Sequence, residues 1–264
     1  MTESPRKTAI VTGSATGVGA AAALLLAQRG CNVVINYTRS AAEAHETADA
    51  CRAAGAEALV CQADVGEDSA CRAMAQSALD AWGRIDYLVS NAARTKFNAY
   101  ADLEGLSAED FLAIYKVNVV GAYQMVRACA PAMQARGAGA IVMVSSIGGV
   151  TGIASSMAYA SSKAALNLLT KSLGMTLGPA IRVNAICPGM IQTRWLKAGL
   201  DDARYAATVE VGTRLSPLQK VATAEEVAET IVWLLEGAPL LTGQVLLNDA
   251  GVHLGQLPPM SRKP

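Results

Sequence analysis

Aromatic side chains are scarce in this 264-residue chain: two Phe, three Trp and seven Tyr make up 5% of it. A core must therefore be aliphatic, and the 52% apolar content is enough to argue against a disordered chain. An excess of charge is also missing. Twenty-two basic residues balance twenty-two acidic ones, so nothing points to nucleic acid or an anionic membrane surface. No apolar run approaches the roughly 18 residues that span a bilayer. The opening Met1–Lys7 is polar and lacks a signal-peptide core. Only two histidines occur, His45 and His253, without clustered partners, so no metal site is expected. The six cysteines, at 31, 51, 61, 71, 129 and 187, form no Cys-x-x-Cys pair and sit mostly in apolar or alanine-rich stretches. Buried thiols, a cytoplasmic location and no structural disulfide are expected.

What is present is alternation. Strand-like runs cover 8–12, 33–37, 57–61, 87–90, 140–145, 181–186 and 245–248. Helical stretches lie between them, at about 40–54, 69–82, 108–134 and 157–177. Strict alternation predicts a parallel sheet with helices on both faces, a doubly wound α/β fold in one domain over 7–255. A flexible 1–6 and a C-terminal tail 256–264 flank it; Leu257-Pro258-Pro259 should not be helical. Right-handed crossovers bring the C-terminal strand ends to one edge, where ligands bind.

Two local patterns carry chemistry. Gly13-Ser14-Ala15-Thr16-Gly17-Val18-Gly19 joins the first strand to an alanine-rich helix. Glycines let a backbone approach a pyrophosphate, and a helix start offers free N–H groups. The spacing is Gly-x-x-x-Gly-x-Gly, and no Gly-Lys-Ser/Thr follows, so a nucleoside-triphosphate loop is disfavoured. Tyr159 and Lys163 stand four apart, on one helix face. An ammonium beside a phenol favours the phenolate, against a reference pKa of about 10. The expectation is a tyrosine tuned toward neutral pH, able to exchange a proton with a substrate oxygen. Read singly, either pattern could be a tight turn or a chance pair on an amphipathic helix.

Together and in order, these markers resemble the short-chain dehydrogenase/reductase family, over about residues 7–255. Thr12-Gly13-x-x-x-Gly17-x-Gly19 matches its cofactor loop. Asp64-Val65 matches the pair that meets the adenine, and Asn91-Ala92-Ala93 its Asn-Ala-Gly, with Ala93 in place of glycine. Asn118 matches the catalytic asparagine. Ser146 stands thirteen residues before Tyr159, the family's usual interval. Pro188-Gly189, Ile191 and Thr193 match the segment that closes on the nicotinamide.

The resemblance implies a Rossmann-type sheet of about seven strands and a ketone–alcohol oxidoreductase. Asn118, Ser146, Tyr159 and Lys163 would be its catalytic set. Tyr159 would be the general acid or base, and Ser146 would polarise the carbonyl. Lys163 would lower the tyrosine pKa and bind the ribose, and Asn118 would hold a water. It implies a homotetramer using the helices around 108–134 and 157–177 and the last strand. The acidic residue that binds a ribose 2′-hydroxyl in many dinucleotide folds is absent. Asn36 stands there, followed by Tyr37, Thr38, Arg39 and Ser40, and Arg39 suits a 2′-phosphate. NADP(H) is therefore expected over NAD(H), although Thr16 stands where many NADP-dependent relatives carry a base. The region 190–218, with Trp195, Leu196, Leu200, Tyr205 and Leu215, should form a substrate loop. With Val150, Ile153 and Met190 it could line an apolar pocket for a small carbonyl or alcohol substrate, possibly a 3-oxoacyl group. Two rivals stand beside this reading: an enoyl reductase, and a non-catalytic NADP-binding sensor.

Overall fold

The computed structural model describes residues 6–198 and 200–255. Most of the N-terminal stretch expected to be flexible, and the whole tail 256–264, lie outside the described residues.

The strands are short, the central ones largely buried and the edge strands β3 and β7 partly exposed: β1 (Thr8–Val11), β2 (Asn32–Tyr37), β3 (Ala58–Gln62), β4 (Tyr87–Ser90), β5 (Gly139–Val144), β6 (Ile181–Pro188) and β7 (Val245–Asn248). They form one parallel sheet in the order β3-β2-β1-β4-β5-β6-β7. The connecting helices are α1 (Gly17–Gln28), α2 (Ala41–Ala53), α3 (Asp68–Trp82), α4 (Ala108–Tyr115), α5 (Ala122–Arg136), α6 (Gly148–Thr151), α7 (Met157–Leu177), α8 (Arg194–Lys197), α9 (Asp202–Leu215) and α10 (Ala224–Glu236). This is a doubly wound Rossmann-type sheet with helices on both faces.

Strand alternation sorts the core into two layers. Ala9, Val11, Val33, Ile35, Val89 and Val142 face one side, against α1, α2 and α10. Ile10, Val34, Leu88, Ile141 and Met143 face the other, against α3, α5 and α7. The order reverses between β1 and β4, the switch point where the C-terminal strand ends open a crevice.

One expectation changes. The helix expected to run unbroken over 108–134 is two α-helices joined by a π-helical stretch, Lys116–Gly121. A capping box fixes its start: Ser107 Oγ accepts from Asp110 N, and the Asp110 carboxylate accepts from Ser107 N. The π stretch contains Asn118, and such bulges tend to mark functional positions. Their cause is tertiary here, because both ends of the Asn118 amide are held from outside the helix.

Candidate active site

The glycine loop is held from below by amides and hydroxyls. Asn36 lies at the end of β2, and its Oδ1 accepts from Gly13 N at 2.9 Å. Its Nδ2 donates to Cys61 O (3.3 Å) and Ala63 O (3.0 Å). Ser14 Oγ donates to Val11 O and accepts from Asn36 N. From β4, Asn91 Nδ2 donates to Thr12 O and Gly13 O, while Thr12 Oγ1 accepts from the N–H groups of Asn91 and Ala92. Asn36 and Ser14 are therefore buried braces, and their polar groups are engaged in the loop. Both stand at the loop, as expected of cofactor-site positions, with their side chains shaping its backbone.

The loop's upper side is open. Thr16 is the N-cap of α1 yet makes no side-chain cap bond, and no acid occupies the first turn. The first N–H groups of α1 are left for an anion. Gly13 has φ +61°, and a Cβ there would lie 2.9 Å from Ala92 Cα. A Cβ at Gly19 would lie 2.5 Å from Gly13 O and 2.6 Å from Asn91 Nδ2. No other side chain fits either position. Thr193 faces the loop: a Cβ on Gly17 would meet its Cγ2 at 3.6 Å. It precedes α8 without a side-chain cap bond, so helix capping does not account for it. A cleft of about 420 Å³ borders the loop on its α1 side, where Thr16, Gly17, Thr193 and Arg194 meet α1 (Ala20, Leu24), α2 (Thr47, Ala50) and the start of α10 (Ala224); it does not extend to Tyr159. Backbone donors, absent side chains and an uncapped helix start fit a dinucleotide pyrophosphate.

Of the remaining expected contacts, Tyr37 is half-buried and Thr38 and Arg39 are exposed at the end of β2. Asp64 is exposed and accepts from Gly66 N, while Val65 is buried. Val18 packs into the core behind the loop. Ala92 and Ala93 are half-buried just past β4, as is Gly189 just past β6. Pro188 is buried, and its carbonyl accepts from Ile147 N. Ile191 pairs in a bridge with Ala222.

The chemical groups gather at the adjacent edge. Ser156 caps α7 by accepting from Tyr159 N, so the tyrosine sits in the helix's first turn. Ser146 lies just past β5, close enough to the phenol to influence its pKa, and its Oγ accepts from Gly148 N at 3.1 Å. The neighbouring Ser145 turns away and donates to Lys163 O. Lys163 is 2% exposed; its Nζ donates to Val144 O at 2.8 Å and lies 5.5 Å from the Tyr159 ring centre. Trp195 packs beside Tyr159, ring centres 6.2 Å apart and tilted by 56°.

The electrostatics differ from the expectation. Burial pushes the Tyr159 phenol up to about 12, with Ser146 pulling it partly back. Burial also lowers Lys163 to about 8. Burial dominates and raises the phenol, the direction opposite to the expected acidification, and the Lys163 ammonium is itself desolvated and tied to a carbonyl.

Asn118 makes three side-chain hydrogen bonds. Its Oδ1 accepts from Arg94 N (2.8 Å), and its Nδ2 donates to Arg94 O (3.0 Å) and Ser162 Oγ (2.9 Å). The side chain ties the loop after β4 to α7 and spends both donors doing so. It braces the two elements, and its Oδ1 accepts one N–H bond. Ser162, which sequence reasoning missed, completes the brace by donating to Tyr159 O. The only available signal was its place between Tyr159 and Lys163.

No metal-binding group of three or more His, Cys, Asp or Glu occurs among the described residues. No helix among them is long and apolar enough to cross a membrane.

Comparisons with known proteins agree with this geometry. A family model described as enoyl-(acyl carrier protein) reductase matches residues 13–253. Ketoacyl reductase 2 of the granaticin polyketide synthase of Streptomyces violaceoruber, a provisional description, is 39% identical over 93% of this chain and 96% of its own. L-rhamnose 1-dehydrogenase (NAD(P)(+)) of a Sphingomonas species is 36% identical over 94% and 96%. The 3-oxoacyl-[acyl-carrier-protein] reductase of Staphylococcus aureus is 29% identical over 94% and 98%. A crystal structure from Burkholderia xenovorans, provisionally described as a short-chain dehydrogenase/reductase, superimposes with a TM-score of 0.88. It is 37% identical, covering 96% of this chain and 100% of that one.

Proposed function

Because the chain belongs to the short-chain dehydrogenase/reductase family of oxidoreductases, we propose that it interconverts a ketone and a secondary alcohol, with Tyr159 as general acid. The observation that carries this reading is Tyr159 one turn from a buried Lys163 on α7, with Ser146 close enough to the phenol to influence its pKa, at the strand edge next to the glycine loop. A bound nicotinamide dinucleotide would supply the hydride.

The protein's part is a proton and a polarised oxygen. A phenol at about 12 is fully protonated at neutral pH, the form that donates to a carbonyl oxygen. Ser146 donates a second hydrogen bond as charge develops on that oxygen. Val144 O takes one of the three N–H donors of Lys163; the others suit ribose hydroxyls. Positioned acid catalysis of this kind gives ~10²–10⁴-fold, or about 3–5 kcal/mol of barrier.

The ketone reading is favoured over the enoyl one by Ser156. The family's enoyl reductases place their tyrosine seven residues before the lysine. Here that position is a fully buried serine capping α7. The non-catalytic reading loses ground because all four expected side chains are present and adjoining.

NADP(H) is preferred in this reading, since Arg39 is exposed where a 2′-phosphate would lie and no carboxylate stands at the end of β2. The domain covers 7–255, with its substrate segment at 190–218. Medium-sized ketones or 3-oxoacyl groups suit the apolar Trp195, Met190, Val150 and Ile153, each more than a third exposed with no ligand in place. A cytoplasmic homotetramer completes the reading. Unpaired cysteines favour the compartment. Exposed Leu112, Val120 and Tyr123 before and within α5, with Leu168 and Met175 on α7, favour association through these helices.

The test is a ketone and 3-oxoacyl panel with NADPH and NADH, read as loss of reduced-nicotinamide absorbance. Turnover of at least one ketone and tighter binding of NADPH are expected. Dinucleotide binding without turnover across the panel would favour the sensor reading, and tighter NADH binding would reverse the cofactor preference.

A further inference from the structure

The segment after β6 is fastened at a point well away from Tyr159. Arg194 opens α8, directly after the Thr193 that faces Gly17. Its guanidinium reaches to the start of α2. Nη1 lies 2.6 Å from Glu43 Oε1, and Nη2 donates to Ser40 Oγ at 2.9 Å. Ser40 follows Arg39, at the adenosine end of the dinucleotide reading, and lies 154 residues from Arg194 in the chain. Trp195, the next residue, turns to Tyr159 instead. Two consecutive side chains thus reach the start of α2 and the phenol of α7.

We infer that Arg194 is a positioning residue whose bridge to Ser40 and Glu43 straps the 190–218 segment against the glycine loop that would hold a dinucleotide. The same bridge holds Trp195 beside Tyr159, so cofactor retention and closure of the substrate wall are coupled. The inference rests on the dinucleotide reading above. Only a planar fork serves a carboxylate and a hydroxyl from one side chain in this way, which makes lysine a poor replacement. Arg194 and Glu43 have side chains 57% and 38% exposed. An exposed pair is weak and screened by salt, which suits a strap that must open for ligand entry and exit.

The experiment measures dissociation rates of NADPH and NADH by stopped flow in the wild type, Arg194→Ala, Glu43→Gln, Arg194→Glu and the reversed pair Arg194→Glu/Glu43→Arg. NADH is the decisive probe for the reversed pair, since it offers a new cation at position 43 no 2′-phosphate. Trp195 fluorescence, in a Trp82→Phe/Trp233→Phe background, reports the wall. Release about two- to fivefold faster is expected for Arg194→Ala and Glu43→Gln. A smaller Trp195 response to dinucleotide should accompany it, melting temperatures should be unchanged, and the reversed pair should return near the wild-type rate. Wild-type release from Arg194→Ala, or a reversed pair no slower than Arg194→Glu, would overturn the strap alone. Failure of both dinucleotides to bind the wild type would overturn the cofactor reading and the strap with it.

Discussion

The cradle around the glycine loop and the segment at 190–218 flank the same cleft but are built oppositely. In the cradle, buried Thr12, Ser14 and Asn36 have every side chain bonded to backbone. A buried polar network satisfied in this way fixes one geometry, because breaking any bond strands a desolvated group. The segment shows the reverse. No residue of α8 is buried, and in α9 only Gly212 is. It is anchored at its ends, by the Ile191–Ala222 bridge, Gln192 and the buried Ser216, while between them the ion pairs Arg194–Glu43, Lys197–Asp202 and Arg204–Asp201 lie at the surface. The contrast ties stability to function: a rigid cradle suits an invariant dinucleotide, whereas a loosely held wall can adapt to a substrate.

The largest expected effect removes chemistry while sparing both regions. Tyr159→Phe deletes the phenol proton donor and leaves the bonds of the cradle intact. Turnover should fall by ~10²–10⁴-fold, with dinucleotide affinity near that of the wild type by calorimetry. Near-wild-type turnover would remove Tyr159 from the mechanism.

The comparison itself is tested by two glycines. At Gly19 a Cβ would meet backbone oxygen and a bonded amide at 2.5 and 2.6 Å. At Gly212 it would meet only side chains, Met190 Sδ and Val221 Cγ2, each at 2.9 Å. Gly19→Ala should cost about 1–3 kcal/mol of dinucleotide binding through backbone displacement. Gly212→Ala should change melting temperature and affinity far less. Equal damage from both would show the segment to be as rigid as the cradle.

Much of this was legible in the sequence because it is local. Seven strand runs, the glycine loop and the Tyr159–Lys163 spacing follow from periodicity, and the observed strands begin and end within about two residues of the runs. What escaped depends on contacts distant in the chain. The π-helical stretch at Lys116–Gly121 forms where Asn118 is clamped to Arg94 and Ser162, 24 and 44 residues away. Asn36 stands at the acid's position; only the fold shows its amide under Gly13. The phenol pKa was misjudged for a related reason. Spacing reveals a neighbouring charge but not the burial that raises the phenol. Arg194 left no signal, since its partners lie more than 150 residues earlier.

A smaller effect probes the segment. Trp195 is 40% exposed and touches the catalytic ring rather than the core. Aromatic contacts of this kind contribute about 0.5–1.5 kcal/mol. Trp195→Ala should therefore shift KM for bulky ketones severalfold and leave melting temperature nearly unchanged. A large drop in melting temperature would place Trp195 with the rigid half.

The smallest effect separates burial from charge at the boundary of the two regions. Lys163 has a folded-state pKa of about 8, against 10.5 for a free lysine. Below pH 8 both folded and unfolded chains carry the proton, so the folded protein bears the full cost of a buried ammonium. Between pH 8 and about 10.5 the folded chain has released its proton and the unfolded chain still binds one. Stability therefore rises with pH in that window by relief of this cost. Lys163→Met has no such proton. Its melting temperature relative to the wild type should be highest near pH 7 and should fall steadily from pH 8 to 10. Tyr159 acts in the opposite sense only higher up. Its phenol stays protonated in the folded chain after the unfolded one ionises near pH 10, so it opposes the rise beyond that point. A difference between Lys163→Met and wild type that stays flat across pH 7–10 would mean that the buried ammonium keeps an ordinary pKa. The lysine would then be solvated by the cleft, not enclosed by the cradle.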